Sequence, residues 1–152
     1  KALYMDECEV PEGRYMIPFG QARTVVEGSD ITIVGMSRTA VLAEEAAVSL
    51  SEKGISAEVI DLRTLSPLDE HAILESLGKT GRLVVVDEAN PYCSMASEIA
   101  GLAVERGFDT LDAPVKRVTS PHTPVPATPC LESEYVPNVD KVLAAVEEIL
   151  AY

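Results

Sequence analysis

Three apolar runs in this sequence each end on polar residues able to do chemistry. ITIVGM is followed by Ser37 and Arg38, AEVI by Asp61 and Arg63, and LVVV by Asp87 and Glu88. Adjacent carboxylates such as Asp87 and Glu88 suit a divalent cation or acid–base work. Consecutive strand residues point to opposite faces, however, so the two side chains need not converge. Caps and salt bridges at a sheet edge are the simpler reading and the preferred one. Cys93 stands near the start of an amphipathic segment, where a helix N-terminus lowers a thiol pKa. No base is visible beside it, and buried packing is expected. His71 follows a helix-start pattern and reads as a surface side chain. His122 sits in SPHTPVP, a proline-stiffened loop, without a visible partner.

Other catalytic signatures are missing from the sequence. It has no G-x-G-x-x-G, no G-x-x-x-x-G-K-[ST] and no G-x-S-x-G. Cys8, Cys93 and Cys130 are odd in number without C-x-x-C spacing, and the two histidines lie far apart, so no zinc pattern arises. Reduced, cytosolic thiols are expected. No catalytic set emerges from the residues alone.

The elements that must carry these residues follow in order. Residues 1–20 show no period and read as a linker or arm; Arg23–Glu27 reads as a short strand. Ile31–Met36, apolar on both faces, reads as a strand covered by helices on either side. A helix to about Lys53 follows, capped by Ser37 or Thr39, with a small-residue face and Gly54 as its stop. Ala57–Leu62 is the next strand. Ser66-Pro67-Leu68-Asp69 has the form of a helix start, with Ser66 as cap and Gly78 as the end. Gly81–Gly107 supplies a strand, a turn at Asn90-Pro91 and a helix with Met95, Ile99, Leu102 and Ala103 on one face; it reads as the sheet's central β-α unit. Val115–Val118 is a candidate edge strand. Five prolines in the 18 residues from Ser120 to Pro137 exclude a central strand or helix interior there. Asn138 caps a last helix, with Val142, Leu143, Val146, Ile149 and Leu150 on its buried face. The order predicts an α/β fold, a three-layer α/β/α sandwich around a mainly parallel sheet of about five strands.

At 152 residues, 47% hydrophobic and 24% charged, the chain has the size and composition of one globular domain. No run approaches the roughly 18 apolar residues of a membrane span, and the charged start lacks a signal-peptide core. A cytoplasmic location is expected. Twenty-five acidic against 12 basic residues leave a net charge of −13, which disfavours nucleic acid and anionic membranes and favours a basic partner.

The runs IDLRTLSPLDE, KTGRLVVVDEANPYCSMASEIA and SPHTPVPATPCLESEYVPN together resemble the C-terminal domain of the β subunit of thiamine-diphosphate-dependent 2-oxo acid dehydrogenases. DEANPYCSMASEIA is closer to the acetoin dehydrogenase branch than to the pyruvate or branched-chain one. More distantly, the fold resembles the third domain of transketolase. The resemblance implies a transketolase C-terminal-like domain over residues 21–152, with 1–20 a linker from a missing N-terminal domain. It implies that thiamine diphosphate and Mg²⁺ lie between the α subunit and the absent N-terminal half of the β subunit. No catalytic, cofactor-binding or metal-binding residue is then expected in this chain. The implied partners are the α subunit and a second β subunit of an α2β2 assembly, and the basic peripheral-subunit-binding domain of the acyltransferase core. A homodimer is expected for the fragment. Asp109, Asp112, Glu147, Glu148 and Tyr152 are the candidates for contact with the basic domain. The rival readings are a free-standing flavodoxin-like domain binding a small ligand at Ser37, Asp61 and Asp87, and part of a transketolase-type transferase.

Overall fold

The computed structural model describes residues 2–5, 7 and 9–152. Five strands form one sheet: β1 (Arg23–Val26), β2 (Ile31–Gly35), β3 (Ala57–Asp61), β4 (Leu83–Asp87) and β5 (Lys116–Thr119). Their order is β1-β3-β2-β4-β5. β2 to β5 run parallel, and β1 joins β3 antiparallel with a register shift between Thr24 and Val26. The helices are α1 (Arg38–Glu52), α2 (Glu70–Thr80), α3 (Met95–Gly107), α4 (Pro129–Tyr135) and α5 (Val139–Leu150).

The layers follow from strand periodicity. Ile31, Ile33, Val59, Val84 and Val86 point to one face, against Ala43, Ala46, Ala47 and Leu50 of α1 and Val142, Val146 and Ile149 of α5. Val34, Ile60, Leu83 and Val85 point to the other, against Ile73 and Leu77 of α2 and Ile99, Leu102 and Ala103 of α3. A sheet sealed on both faces requires strands apolar on both faces, and every residue of β2 and β4 is buried. The small-residue face of α1 lets its axis approach closely: a Cβ on Gly35 would stand 2.6 Å from the Ala40 backbone.

Several expectations change. The middle strand is β2, so Gly81–Gly107 is an interior unit next to it rather than the centre. α2 is shifted along the chain. Its cap is Asp69, whose Oδ1 accepts from Ala72 N at 3.1 Å, and the Ser66-Pro67 peptide is cis. It runs past Gly78 to Thr80 and stops at Gly81, which has φ +68° and a left-handed cap conformation. The proline-rich segment holds the seven-residue α4, with Pro129 in its first turn, where a missing N–H costs nothing. On α5, Asn138 Oδ1 accepts from Lys141 N at 3.0 Å as expected; Leu143 and Leu150 are half-buried. Within 1–20, residues 2–5 form a 3₁₀ turn, while Cys8 lies outside the described residues. The end of the arm is tied down, with Gly20 N donating to Thr64 Oγ1 and Ala22 N to Asp69 Oδ2, both at 2.9 Å.

Candidate functional site

The carboxyl ends of β2, β3 and β4 and the loops beyond them are where a parallel sheet exposes its polar tips. Among the described residues the three non-glycine residues with positive φ, Ser37 (φ 55°), Arg63 (φ 55°) and Cys93 (φ 51°), all lie in these loops. Each such conformation costs on the order of 1 kcal/mol and persists where its surroundings hold it. Local hydrogen bonds do the holding. Asp61 Oδ1 accepts from Arg63 N at 3.1 Å, and Asn90 Oδ1 accepts from Tyr92 N at 3.0 Å. Thr39 Oγ1 accepts from Met36 N at 2.9 Å and lies 2.8 Å from the Val86 carbonyl, to which its hydroxyl donates, tying α1 to β4. Ser37 occupies the position before α1 but makes no side-chain cap.

Asp87 and Glu88 diverge. Asp87 is buried; its Oδ1 accepts from Ala89 N at 2.9 Å and its Oδ2 from Ala96 N at 3.2 Å. Its carboxylate therefore shapes the turn after β4 and receives a backbone donor from the first turn of α3. Glu88 is half-exposed and stands 3.7 Å from Arg38. The turn between them and α3 is locked from outside: Arg117 Nη1 donates to the Pro91 carbonyl at 2.8 Å and to Ser97 Oγ at 2.7 Å. Ser94 Oγ caps α3 by accepting from Ser97 N at 3.3 Å.

The proline-rich segment lies against this turn. His122, without a visible partner in sequence, meets Tyr92 edge to face, with ring centroids 4.8 Å apart and planes at 83°. The Tyr135 hydroxyl lies 2.9 Å from the Thr123 carbonyl and 3.0 Å from that of Pro121, bracing the loop. A shallow cavity of about 460 Å³ lies here, lined by Glu88, Asn90, His122, Val125 and Tyr135. Cys93 is exposed, which corrects the expectation of buried packing; Cys130 is exposed as well. His71 is on the surface, 3.5 Å from Glu75 one helical turn away.

A second polar cluster, missed in the sequence, lies toward the opposite end of the sheet. Glu58, the second residue of β3, is only 3% exposed. Its carboxylate pairs with Lys79 of α2 and accepts from Gly28 N at 3.3 Å; Lys79 also reaches Glu27 at 3.3 Å. Burial pushes the Glu58 carboxyl up. The Lys79 ammonium, the Ser76 hydroxyl and the Gly28 N–H together outweigh it and hold the group below its ordinary value. The Glu58 carboxylate in turn holds Lys79 above its own. Beside the pair, Thr32 Oγ1 lies 2.6 Å from Ser76 Oγ and 2.7 Å from Thr80 Oγ1, so three buried hydroxyls satisfy one another. The one signal in the sequence was a glutamate inside a strand otherwise apolar up to its last residue, Asp61.

The donor chemistry of the strand tips does not fit a magnesium diphosphate. That group needs free converging oxygen ligands, whereas Asp87 is occupied by two backbone N–H groups and Glu88 turns to Arg38. Among the described residues no three His, Cys, Asp or Glu side chains stand close enough to hold a metal. No described helix is long and apolar enough to cross a membrane. The five surface candidates do not form one cluster of free acids. Glu147 pairs with Lys53 at 2.7 Å, Glu148 with Lys116, and Asp112 lies 4.0 Å from Arg82, while Asp109 and Tyr152 are exposed.

Comparison with known proteins accounts for this arrangement. The family described as "Transketolase, C-terminal domain" matches residues 20–142. Acetoin:2,6-dichlorophenolindophenol oxidoreductase subunit beta of Bacillus subtilis is 53% identical over 150 residues, which is 99% of this chain and 44% of that protein. Pyruvate dehydrogenase E1 component subunit beta of Rickettsia felis is 41% identical over 150 residues, 99% of this chain and 46% of that one. Among solved structures, a split gene transketolase in an inactive beta4 tetramer superposes with a TM-score of 0.82 at 30% identity, covering 96% of this chain and 46% of its own. The chain thus spans less than half the length of the relatives it matches. With the family pattern covering most of its residues and the sheet, helices and tip turns in place, the chain belongs to the transketolase C-terminal domain family, in the form found in β subunits of acetoin and 2-oxo acid dehydrogenases.

Proposed function

We propose that this chain is the assembly and partner-docking domain of the β subunit of a thiamine-diphosphate-dependent dehydrogenase, of the acetoin-cleaving or 2-oxo acid type, working in the cytoplasm. The observation that carries the reading is its identity to acetoin oxidoreductase and pyruvate dehydrogenase β subunits along nearly its whole length. On this reading residues 1–20 lead in from a preceding domain. Thiamine diphosphate and Mg²⁺ sit between that domain and the α subunit, and the chain alone turns over no substrate. The tip carboxylates support this division, because each already serves a turn or an ion pair.

The domain contributes surfaces. It contacts the α subunit and a second β subunit of an α2β2 assembly, and alone forms a homodimer through its sheet-flanking faces or proline-rich loop. The related split transketolase, whose β chains are described as a tetramer, supports self-assembly of such chains. It also receives the basic peripheral-subunit-binding domain of the acyltransferase core. Asp109, Asp112, Glu147, Glu148 and Tyr152 are the contact candidates. Exposed ion pairs such as Glu147–Lys53 contribute only about 0–1 kcal/mol, so exchanging an internal lysine for a partner's costs little. The net charge of −13 supplies the steering.

Titration calorimetry of the 152-residue chain against an isolated basic subunit-binding domain tests the docking. Affinity should fall steeply between about 0.05 and 0.5 M salt, as the screening length shrinks to a few Å. Affinity indifferent to salt, or undiminished by E147Q/E148Q, would remove the electrostatic reading. Light scattering that finds a monomer at high concentration would remove the homodimer.

A further inference from the structure

β5 ends the sheet. Among the described residues its only ladder partner is β4, so its outer side presents unpaired backbone N–H and C=O groups. Beside it, a groove of about 320 Å³ runs between β5 and α5. Its floor is kept low by Ala144 and Ala145, and its walls carry Lys116, Arg117, Lys141 and Glu148. In a chain with 25 acidic and 12 basic residues, the two lysines facing α5, Lys116 and Lys141, outnumber the one acid of the groove, Glu148.

The bases are arranged by strand alternation. Lys116 leans over the α5 face to Glu148, and Lys141 beside it donates to the carbonyls of Glu134 and Val136. Arg117 leans the other way, over α3, to Pro91 and Ser97. Positive charge therefore flanks the edge on both faces, and the backbone between has no ladder partner on its outer side among the described residues. The two edges of the sheet differ in this respect. β1 carries the register shift, a feature that deters pairing, whereas β5 pairs with β4 in continuous register.

We infer that the β5 edge accepts an extended acidic segment of a partner protein as a sixth strand. Backbone ladder bonds supply the affinity. A consecutive pair of acidic residues supplies the selectivity, one reaching Lys116 and Lys141 and the next reaching Arg117. A second copy of this chain does not suit the same edge, because it would set Lys116 and Arg117 against their own counterparts. The surface borders the one proposed for the basic subunit-binding domain, sharing Glu148 with it, and the partner has the opposite charge.

The probe is a fluorescein-labelled ten-residue peptide that alternates threonine and valine around a central glutamate pair. It is read by anisotropy, with amide hydrogen exchange over residues 116–119 of the 152-residue chain. The expected result is saturable binding with slowed exchange at those amides. Replacing the glutamate pair by glutamine should weaken binding about tenfold, the sum of two exposed ion pairs. K116E should weaken it to a similar degree. Methylating alternate backbone nitrogens of the peptide, which leaves the protein untouched, should abolish binding. Equal affinity for the glutamine or N-methylated peptide would overturn the inference, as would no binding at about 1 mM. Edge amides whose protection rises with protein concentration alone would assign the edge to a second copy and overturn it too.

Discussion

Asp87 and Glu58 are both buried carboxylates, toward opposite ends of one sheet, and they are stabilised in opposite ways. Asp87 pairs with no cation among the described residues: two backbone N–H groups, from Ala89 and Ala96, take its two oxygens. Glu58 accepts one backbone N–H and depends on Lys79. The first acid is a piece of turn architecture, so its neighbours are fixed by chain connectivity. The second is half of an ion pair that joins β3 to α2 across 21 residues of sequence. A carboxylate at a strand tip invites a catalytic reading, yet in this fold the tip acid makes the loop and the acid near the start of β3 carries the electrostatics.

Removing each partner should separate the two arrangements. The largest effect is expected from D87A, which leaves two backbone donors without acceptors, one of them fully buried. At about 1–3 kcal/mol for each orphaned group, a loss near 3 kcal/mol is expected from urea unfolding. D87N keeps one acceptor oxygen and should fall about midway. A D87A loss below about 1 kcal/mol would mean that the turn holds without its acid.

K79M should cost less, about 2 kcal/mol at pH 7, because Lys79 is 44% exposed and the pair lies between the buried and the surface case. Its pH dependence is the sharper test. With Lys79 present the Glu58 carboxyl is held below its ordinary value of about 4.5. The pair's contribution is therefore complete above that pH and is lost as pH falls through the lowered folded value. On the alkaline side it is complete below the ordinary lysine value of about 10.5 and is lost above it, through the raised Lys79 value. Without Lys79, burial is opposed only by the Ser76 hydroxyl and the Gly28 N–H, so the Glu58 carboxyl rises from its value in the pair and the variant's penalty is relieved as the group takes up a proton. The gap between the two proteins should narrow from pH 7 toward pH 4.5. A gap that stays constant would deny Glu58 its dependence on Lys79.

The same contrast explains what could be read in advance. The layered sheet was legible because β2 and β4 are apolar on both faces, and because Asn138 and Gly54 punctuate their helices by local chemistry. The start of α2 was not. Ser66-Pro67-Leu68-Asp69 satisfies a capping pattern at Ser66 as well as at Asp69, and what favours Asp69 is remote, since its second oxygen holds Ala22 of the incoming arm. The expected end, Gly78, lies inside the helix, which runs on to Gly81. Only Gly81 has the left-handed backbone, and a side chain there would strike Asp112. Glu58 escaped notice for the same kind of reason, its cation lying on another element. The tip acids were legible as turn and salt-bridge residues, the preferred reading, although an Asx-type turn and a ligand site begin from the same residue type at the same place. His122 looked solitary because its neighbour Tyr92 is 30 residues away in the chain.

The smallest effect should come from the ion pair between the β2 and β4 tips, Arg38 and Glu88. Glu88, adjacent to Asp87, faces Arg38 at 3.7 Å with both side chains about half exposed. At that separation in a solvated setting the attraction is offset by the entropy of fixing two long side chains, and salt screens most of what remains. R38A and E88Q should each change unfolding free energy by no more than about 0.5 kcal/mol, and the double variant should show coupling of the same order. A larger coupling that disappears at about 0.5 M salt would mean that the β2 and β4 tips share a focused field. Glu88 would then merit the functional reading that its position in the sequence suggests.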